Sequence, residues 1–296
     1  MAIGHVLLAL AVVIVWSTNF VVIKHALTEI PPLLFATLRF VMCALPWIFI
    51  LPRPAVPLQK VALLGVLQGS GQFGLLFFAL RSDISAGLAP VVIQSQVFFT
   101  ILGAAFFLHE PVKRLQVIAL VVSAVAFGII AVQGTKHASE NLTLVGLTMT
   151  LGAGLCWAAS NLLARTVGRI NVLHLLVWSS IFAVPPLLVL SLWVDGAQAD
   201  LYAIQHAGLG AWSAVAWQSF GNTLFGFGVW NWLLARYPAG SVTPFALLVP
   251  VLGMSTSAIV TGEAFPPWKV AAGSLLIFAL VANTYATLGP RRRAGP

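Results

Sequence analysis

Nine stretches of this chain, at 1–23, 61–80, 84–109, 115–135, 141–164, 170–194, 201–235, 237–262 and 270–290, run for 20 residues or more without one Asp, Glu, Lys or Arg. A tenth, 30–52, is interrupted only by Arg39. A helix rising ~1.5 Å per residue needs ~20 apolar residues to cross a ~30 Å hydrocarbon layer, so each stretch has the length of one crossing. Charged residues make up 7% of the 296 residues and hydrophobic ones 60%. A soluble domain carries ~25% charged residues, so an aqueous globule is excluded. Strands of a membrane barrel would alternate polar and apolar over ~10 residues, and no segment does so. The expected fold class is all-α integral membrane, with ten transmembrane helices.

The opening stretch is retained as the first span, because no basic region precedes it, no small-residue cleavage pattern follows, and it runs into Asn19, Lys24 and His25. Cys43 and Cys156 both fall within apolar runs and read as packed thiols, with no disulfide framework and no metal site. The net charge of +8 is carried by basic residues placed singly or in short groups between spans. That placement reflects orientation in a bilayer and gives no reason to expect a nucleic-acid partner.

With the amino terminus on the cytoplasmic side, that side collects Arg53, Lys60, Lys113, Arg114, Arg165, Arg169, Arg236, Arg291, Arg292 and Arg293. The opposite side has Lys24, Arg81, Lys136 and Lys269, so the bias is ten to four. Positive residues remain on the cytoplasmic side, and both termini are therefore expected there.

Order within the chain repeats. Trp16 precedes Lys24 by eight residues, and Trp157 precedes Arg165 by eight. "RSDISAGLAP", ending at Pro90, parallels "RYPAGSVTP", ending at Pro244, and "HEPVKRLQV" at 109–117 parallels "GEAFPPWKV" at 262–270. The expected units are residues 1–140 and 141–290, followed by a basic cytoplasmic tail, 291–296. Five spans per unit is an odd number, so the second unit enters the bilayer from the opposite side. Such inverted repeats favour a transporter with its site near the midplane.

The Trp16–Asn19 stretch, "ATLRF" at 36–40, "FFALRSDISAGLAPVV" at 77–92 and "LLARYPAGSVTPFALLVPVLGMSTSAIVTGE" at 233–263 resemble the drug/metabolite transporter superfamily, EamA-type. The likeness is greatest to amino-acid exporters of bacterial inner membranes, the aromatic amino-acid exporters in particular. It implies a secondary transporter that exports small metabolites, most of all amino acids including aromatic ones, by alternating access around a cavity between the repeats. It also implies a bacterial inner-membrane location and a small-molecule substrate, with no cofactor; we expect a monomer. Efflux of other small or drug-like metabolites is the alternative. The second repeat departs from the first by placing Ser179 where the first has Arg39.

Polar side chains inside a span are costly unless they meet partners or line a wet path. The first span offers Asn19 beside Trp16, the third Gln68 and Gln72, four apart on one face, and the fourth Gln94 and Gln96. The second unit supplies Ser160 and Asn161 beside Trp157, then Gln218, Asn222 and Asn231 with Trp217 and Trp230. Amides both donate and accept, which suits a zwitterion, while the tryptophans could cover an apolar substrate side chain. These residues are the expected substrate contacts; interhelical hydrogen bonding is the plainer alternative for any one of them. Pro90 and Pro244 open their helices at matched positions and are either first-turn prolines or gates, and Pro250 is expected to kink its helix as a gate. Gly65 and Gly69 form a GxxxG pattern for close packing. Arg39 either pairs with backbone carbonyls or shapes the field of the pathway, whereas Lys24 and Arg165 stand near helix ends and would snorkel.

Enzyme chemistry finds no support. His109 and Glu110 are followed by Pro111 and Val112 without a second metal-ligand histidine, and neither a Gly-x-Ser-x-Gly elbow nor a phosphate-binding loop is present. No span contains an interior Asp or Glu, so flux is expected to follow the substrate gradient without obligate proton coupling.

Overall fold

The computed structural model describes residues 1–134, 136, 142–168, 170–237, 242, 245–246, 248–263 and 266–288, with the side chains of Asn231, Leu234 and Ala235 left aside. Among these residues the regular structure is entirely helical. The helices are α1 Ile3–Ala26, α2 Pro32–Ala44, α3 Leu58–Ser82, α4 Ala89–Phe107, α5 Arg114–Gly134, α6 Leu144–Arg165, α7 Val172–Val194, α8 Ala197–His206, α9 at 209–236, α10 Leu248–Thr261 and α11 Pro267–Leu288. Eight are long and apolar enough to cross a membrane: α1, α2 with its extension to Phe49, α3 to α7, and α11. α10 is apolar but shorter. α9 is long, but Gln218, Ser219, Asn222 and Thr223 dilute its hydropathy.

Local chemistry sets the boundaries. Pro32 occupies the first turn of α2, where its missing N–H costs no helical bond, and the helix stops where Leu45 turns extended before Pro46. Thr143 caps α6 by accepting from the Gly146 amide, and Asn171 caps α7 by accepting from the Leu173 amide. Lys24 lies in the last turn of α1 and donates to the Leu80 and Arg81 carbonyls at the end of α3, at 2.7 and 3.1 Å. It thus serves two helix C-termini at once, where positive charge is favoured.

The stretch 201–235, expected as one span, is divided. Residues Ala197–His206 form the short surface helix α8, and extended backbone at Ala207 and Gly208 separates it from α9. Lack of charge alone did not reveal this break. The fourth stretch is also uneven: a turn at Ile93 and Gln94 separates Ala89–Val92 from Ser95–Phe107.

Two segments are wound as π-helix, Gly65–Gly74 within α3 and Trp217–Phe227 within α9. Each carries two amides four apart with a glycine before the second: Gln68, Gly71 and Gln72 in α3, and Gln218, Gly221 and Asn222 in α9. π turns are rare and are found mostly at functional sites.

The most extensive packing pairs are α5 with α11, α2 with α7, α1 with α10, α4 with α6, and α3 with both α6 and α7. In lipid there is little hydrophobic drive between helices, so close approach of backbones matters more. Gly65 meets the Ser179 carbonyl of α7 and Gly69 meets Ala183, one turn on; a Cβ at either glycine would run into its neighbour. The GxxxG pattern is therefore the surface on which α3 lies against α7. Large apolar side chains are exposed along α5 (Val117, Val121, Val125, Val132) and α11 (Phe278, Val281, Tyr285), as a lipid-facing exterior requires.

Candidate functional site

Among the described residues, three polar constellations between these helices hold side chains expected from sequence to matter. The largest surrounds a cavity of about 240 Å³ between α4, α5, α6 and α11. Gln96, Thr100 and Ala104 recur every four residues along one face of α4, while Asn161 and Arg165 are one turn apart on α6. At one end the Asn161 Nδ2 donates to Gln96 Oε1 at 2.9 Å. At the other, the Arg165 Nη1 donates to both oxygens of Glu110, at 3.0 and 3.2 Å. Gln116 and Asn283 contribute to the wall, joined by a 3.2 Å bond from Gln116 Nε2 to Asn283 Oδ1.

Glu110 is aimed by its backbone. α4 ends at Phe107, His109 takes φ 53°, and the Glu110 amide returns to the Ala104 carbonyl at 3.2 Å. This is a helix C-terminal turn with a left-handed residue, a position glycine fills more easily than histidine.

The second constellation joins α1 to α9. Gln218 Nε2 donates to Asn19 Oδ1 at 2.5 Å, and Asn222 Nδ2 donates to Gln218 Oε1 at 3.3 Å. Trp16 Nε1 donates to the Asn222 carbonyl at 3.4 Å, and its ring lies 5.2 Å from both Phe227 and Trp230. Asn19, Gln218 and Asn222 are buried. Gln218 is therefore satisfied through both ends of its amide, a strong form of interhelical bonding.

The third is built on Arg39, which is completely buried in α2. Its Nε and Nη2 both donate to the Thr223 hydroxyl, and its guanidinium lies 3.6 Å from the centre of the Phe73 ring. The partners are thus a hydroxyl and a ring face, not the carbonyls allowed for from sequence. Ser219 Oγ donates to the Arg39 carbonyl at 2.9 Å. A void of about 10 Å³, lined in part by Gln68, Ser179 and Ser180, adjoins the guanidinium. That is room for about one water.

The expected site residues are accordingly distributed over all three places. Gln96 and Asn161 line the large cavity, Trp16, Asn19, Gln218, Asn222 and Trp230 belong to the α1–α9 network, and Gln68 faces the void beside Arg39. Gln72, Gln94 and Ser160 are buried, Trp157 packs half-buried against the core, and Trp217 is exposed on the outside of α9. Asn231 lies on α9 with its side chain outside the described residues, and Pro244 is also outside them. Pro90 stands in the first turn of Ala89–Val92. Pro250 is buried in α10, near the start of its described part, Leu248–Thr261. The interior prolines among the described helices are Pro185 and Pro186 in α7, which sequence reasoning did not single out. Glu110 and Arg165, which from sequence stand only near helix ends, are brought together across 55 residues of chain.

The EamA-like transporter family matches the chain at residues 3–132 and again at 144–285. A protein of Salmonella typhimurium named "Probable amino-acid metabolite efflux pump" is 34% identical over 282 residues, covering 94% of each chain. Its namesake in Escherichia coli is 34% identical over 284 residues, again 94% of each. A "Probable terminal-alkyne amino-acid exporter" of Streptantibioticus cattleyicolor is 26% identical, covering 95% of this chain and 94% of its own. One crystal structure shares the fold with a TM-score of 0.59 and 18% identity, covering 97% of this chain and 99% of that one.

A bundle of apolar helices around buried polar networks defines a multi-pass membrane protein of the transporter class. The chain belongs to the EamA-like transporter family.

Proposed function

We propose that this protein is a secondary transporter that exports amino acids, aromatic ones included, across the bacterial inner membrane by alternating access. The observation that carries the reading is the 240 Å³ cavity, whose wall combines one carboxylate, one guanidinium and neutral amides, so that its formal charge sums to zero. Such a wall suits a ligand with both charges and no net charge. The relatives named "Probable amino-acid metabolite efflux pump" support the same substrate class. Trp16, Phe227 and Trp230 do not line that cavity; clustered beside the α1–α9 network, they offer a second, aromatic surface on the pathway for the apolar part of a ligand.

In this reading ten spans are formed by α1 to α7, α9, α10 and α11, arranged as inverted repeats at 1–140 and 141–290, with both termini cytoplasmic. Two observations support it. The family model matches the chain twice, once in each half. The packing also maps onto itself when each of the first five spans is exchanged with the span five later: α1 with α10 becomes α6 with α4, and α3 with α7 becomes α9 with α2. In that orientation the Glu110–Arg165 end of the cavity is cytoplasmic, as loading for export requires.

The test is counterflow in proteoliposomes made with the full-length protein. Vesicles loaded with unlabelled phenylalanine or leucine should accumulate the labelled compound transiently and unaltered. Absence of counterflow for every amino acid, alongside flux of another metabolite, would overturn the substrate class. A pH gradient imposed across vesicles with equal substrate on both sides should drive no sustained accumulation, because no span supplies an interior carboxylate.

A further inference from the structure

We infer that Glu110 and Arg165 form an exchangeable clamp for the two charged groups of an α-amino acid, with Arg165 taking the carboxylate and Glu110 the ammonium. This rests on the amino-acid reading above and names the groups that would read the backbone of the substrate.

The pair is poised for exchange. Both side chains are about half exposed, 47% for Arg165 and 54% for Glu110. An ion pair in that setting contributes little net stability, so replacing it sacrifices little. It is also made through one atom: Nη1 reaches both Glu110 oxygens, which leaves Nε and Nη2 without a protein partner among the described residues. A guanidinium holds a carboxylate best through two parallel N–H bonds, and that edge of Arg165 is unused. A zwitterion brings its own carboxylate and ammonium next to each other. It can take the fork of Arg165 with one and accept the released Glu110 with the other, so no charge enters the cavity unpaired.

The rest of the cavity fits this orientation. Gln96 and Asn161 lie toward the opposite end from Glu110; along α4, Gln96 and Ala104 are two turns apart, a rise of about 12 Å. Their mutual bond uses Asn161 Nδ2 and Gln96 Oε1, and the remaining Asn161 Oδ1 and Gln96 Nε2 have no protein partner among the described residues. A side chain extending inward from the clamp would meet one neutral acceptor and one neutral donor, which accepts varied side chains while the clamp fixes the shared backbone groups.

The experiment measures how well analogues of phenylalanine compete with labelled phenylalanine for counterflow by the full-length protein. The methyl ester lacks the carboxylate and the N-acetyl derivative lacks the ammonium. The wild-type protein should prefer phenylalanine to each by about 10-fold or more, as expected when a charge-assisted hydrogen bond is lost. Arg165→Gln should reduce the preference over the ester to about twofold while keeping that over the N-acetyl derivative, and Glu110→Gln should do the reverse. If Arg165→Gln fails to fold, Arg165→Lys retains the charge without the fork and should still weaken discrimination against the ester. Variants that transport with both preferences intact would overturn the clamp and leave the export reading standing. If the wild-type protein moves no amino acid, the export reading falls and the clamp with it.

Discussion

Arg39 and Thr223 meet through one hydroxyl: Thr223 Oγ1 accepts from Nε at 3.0 Å and from Nη2 at 2.7 Å of the same guanidinium. On the other side the cation lies 3.6 Å from the centre of Phe73. Phe73 follows Gln72 and Thr223 follows Asn222, so Arg39 bridges corresponding positions of the two π segments. Among the described residues no carboxylate pairs with it, so the hydroxyl and the ring face carry the cost of burying the charge.

Thr223→Val keeps the shape and removes the acceptor. We expect a loss of about 1.5–3 kcal/mol, the range for a hydrogen bond to a charged group. Thermal or denaturant unfolding in detergent checks this, and Thr223→Ser should restore most of the loss. A valine variant that unfolds like the wild type would remove Thr223 as the anchor.

Gly65→Ala and Gly69→Ala should each destabilise by about 1–3 kcal/mol, because α7 backbone or Ala183 occupies the place of the new methyl group. Gly128→Ala on α5 provides the control, since nothing lies within 4 Å of its position. Recovery of monodisperse protein after mild heating would separate them: the two α3 variants should fall and the α5 variant should not.

His109, at φ 53°, predicts a backbone effect at the mouth of the cavity. His109→Gly should leave stability unchanged or improve it slightly. His109→Val should cost about 1–2 kcal/mol and also lower amino-acid flux, since the same turn presents Glu110. Equal melting temperatures for the two variants would argue against a strained turn.

Asp200 on the surface helix α8 gives a pH dependence. Burial raises its carboxyl above the ordinary aspartate value; the Ser191 hydroxyl opposes this, and the neighbouring Asp195 adds to the rise. Asp195 itself pairs with Arg81 at 3.1 Å. A raised folded-state value means that the folded protein holds this proton more tightly. The stabilising contribution is therefore complete below the unfolded value of ~3.9 and is lost as pH rises through the folded value. Asp200→Asn should flatten that part of the stability profile and be no less stable than the wild type at neutral pH. A wild-type slope retained in the Asn variant would assign the dependence to another group.

Orientation is tested by accessibility. Reporters at both termini should be cytoplasmic, and a cysteine placed at Lys136 should react with an impermeant reagent added from outside. A carboxyl terminus labelled from outside would contradict the proposed ten-span arrangement.

The spans were legible because the cost of charge in lipid acts on each residue separately, and a list of charged positions almost draws them. Single buried amides could be picked out for the same reason, which is why Gln96 with Asn161 and Asn19 with Gln218 were among the expected contacts before their pairings were known. Other features depend on three-dimensional closure. Nothing in the spacing of 209–236 distinguishes π winding from α winding, since both put Gln218 and Asn222 near one another. Glu110 and Arg165 were discounted because each stands at a helix end, and only folding reveals that the two ends share a cavity. At Gly208 the failure has another origin: an uncharged stretch reports what lipid tolerates, not where the backbone bends.

The wide turns of α3 and α9 also have a mechanical meaning. One residue corresponds to about 100° around a helix of 3.6 residues per turn, so taking up a single residue of slack in a π segment would twist everything beyond it by that angle. Beyond the segment in α3 stand the Leu80 and Arg81 carbonyls held by Lys24, and the Arg81 side chain tied to Asp195. The Ser82 end of α3 is therefore clamped against torsion, and any unwinding of its middle must be absorbed at the opposite end, where Gly65 rests on α7.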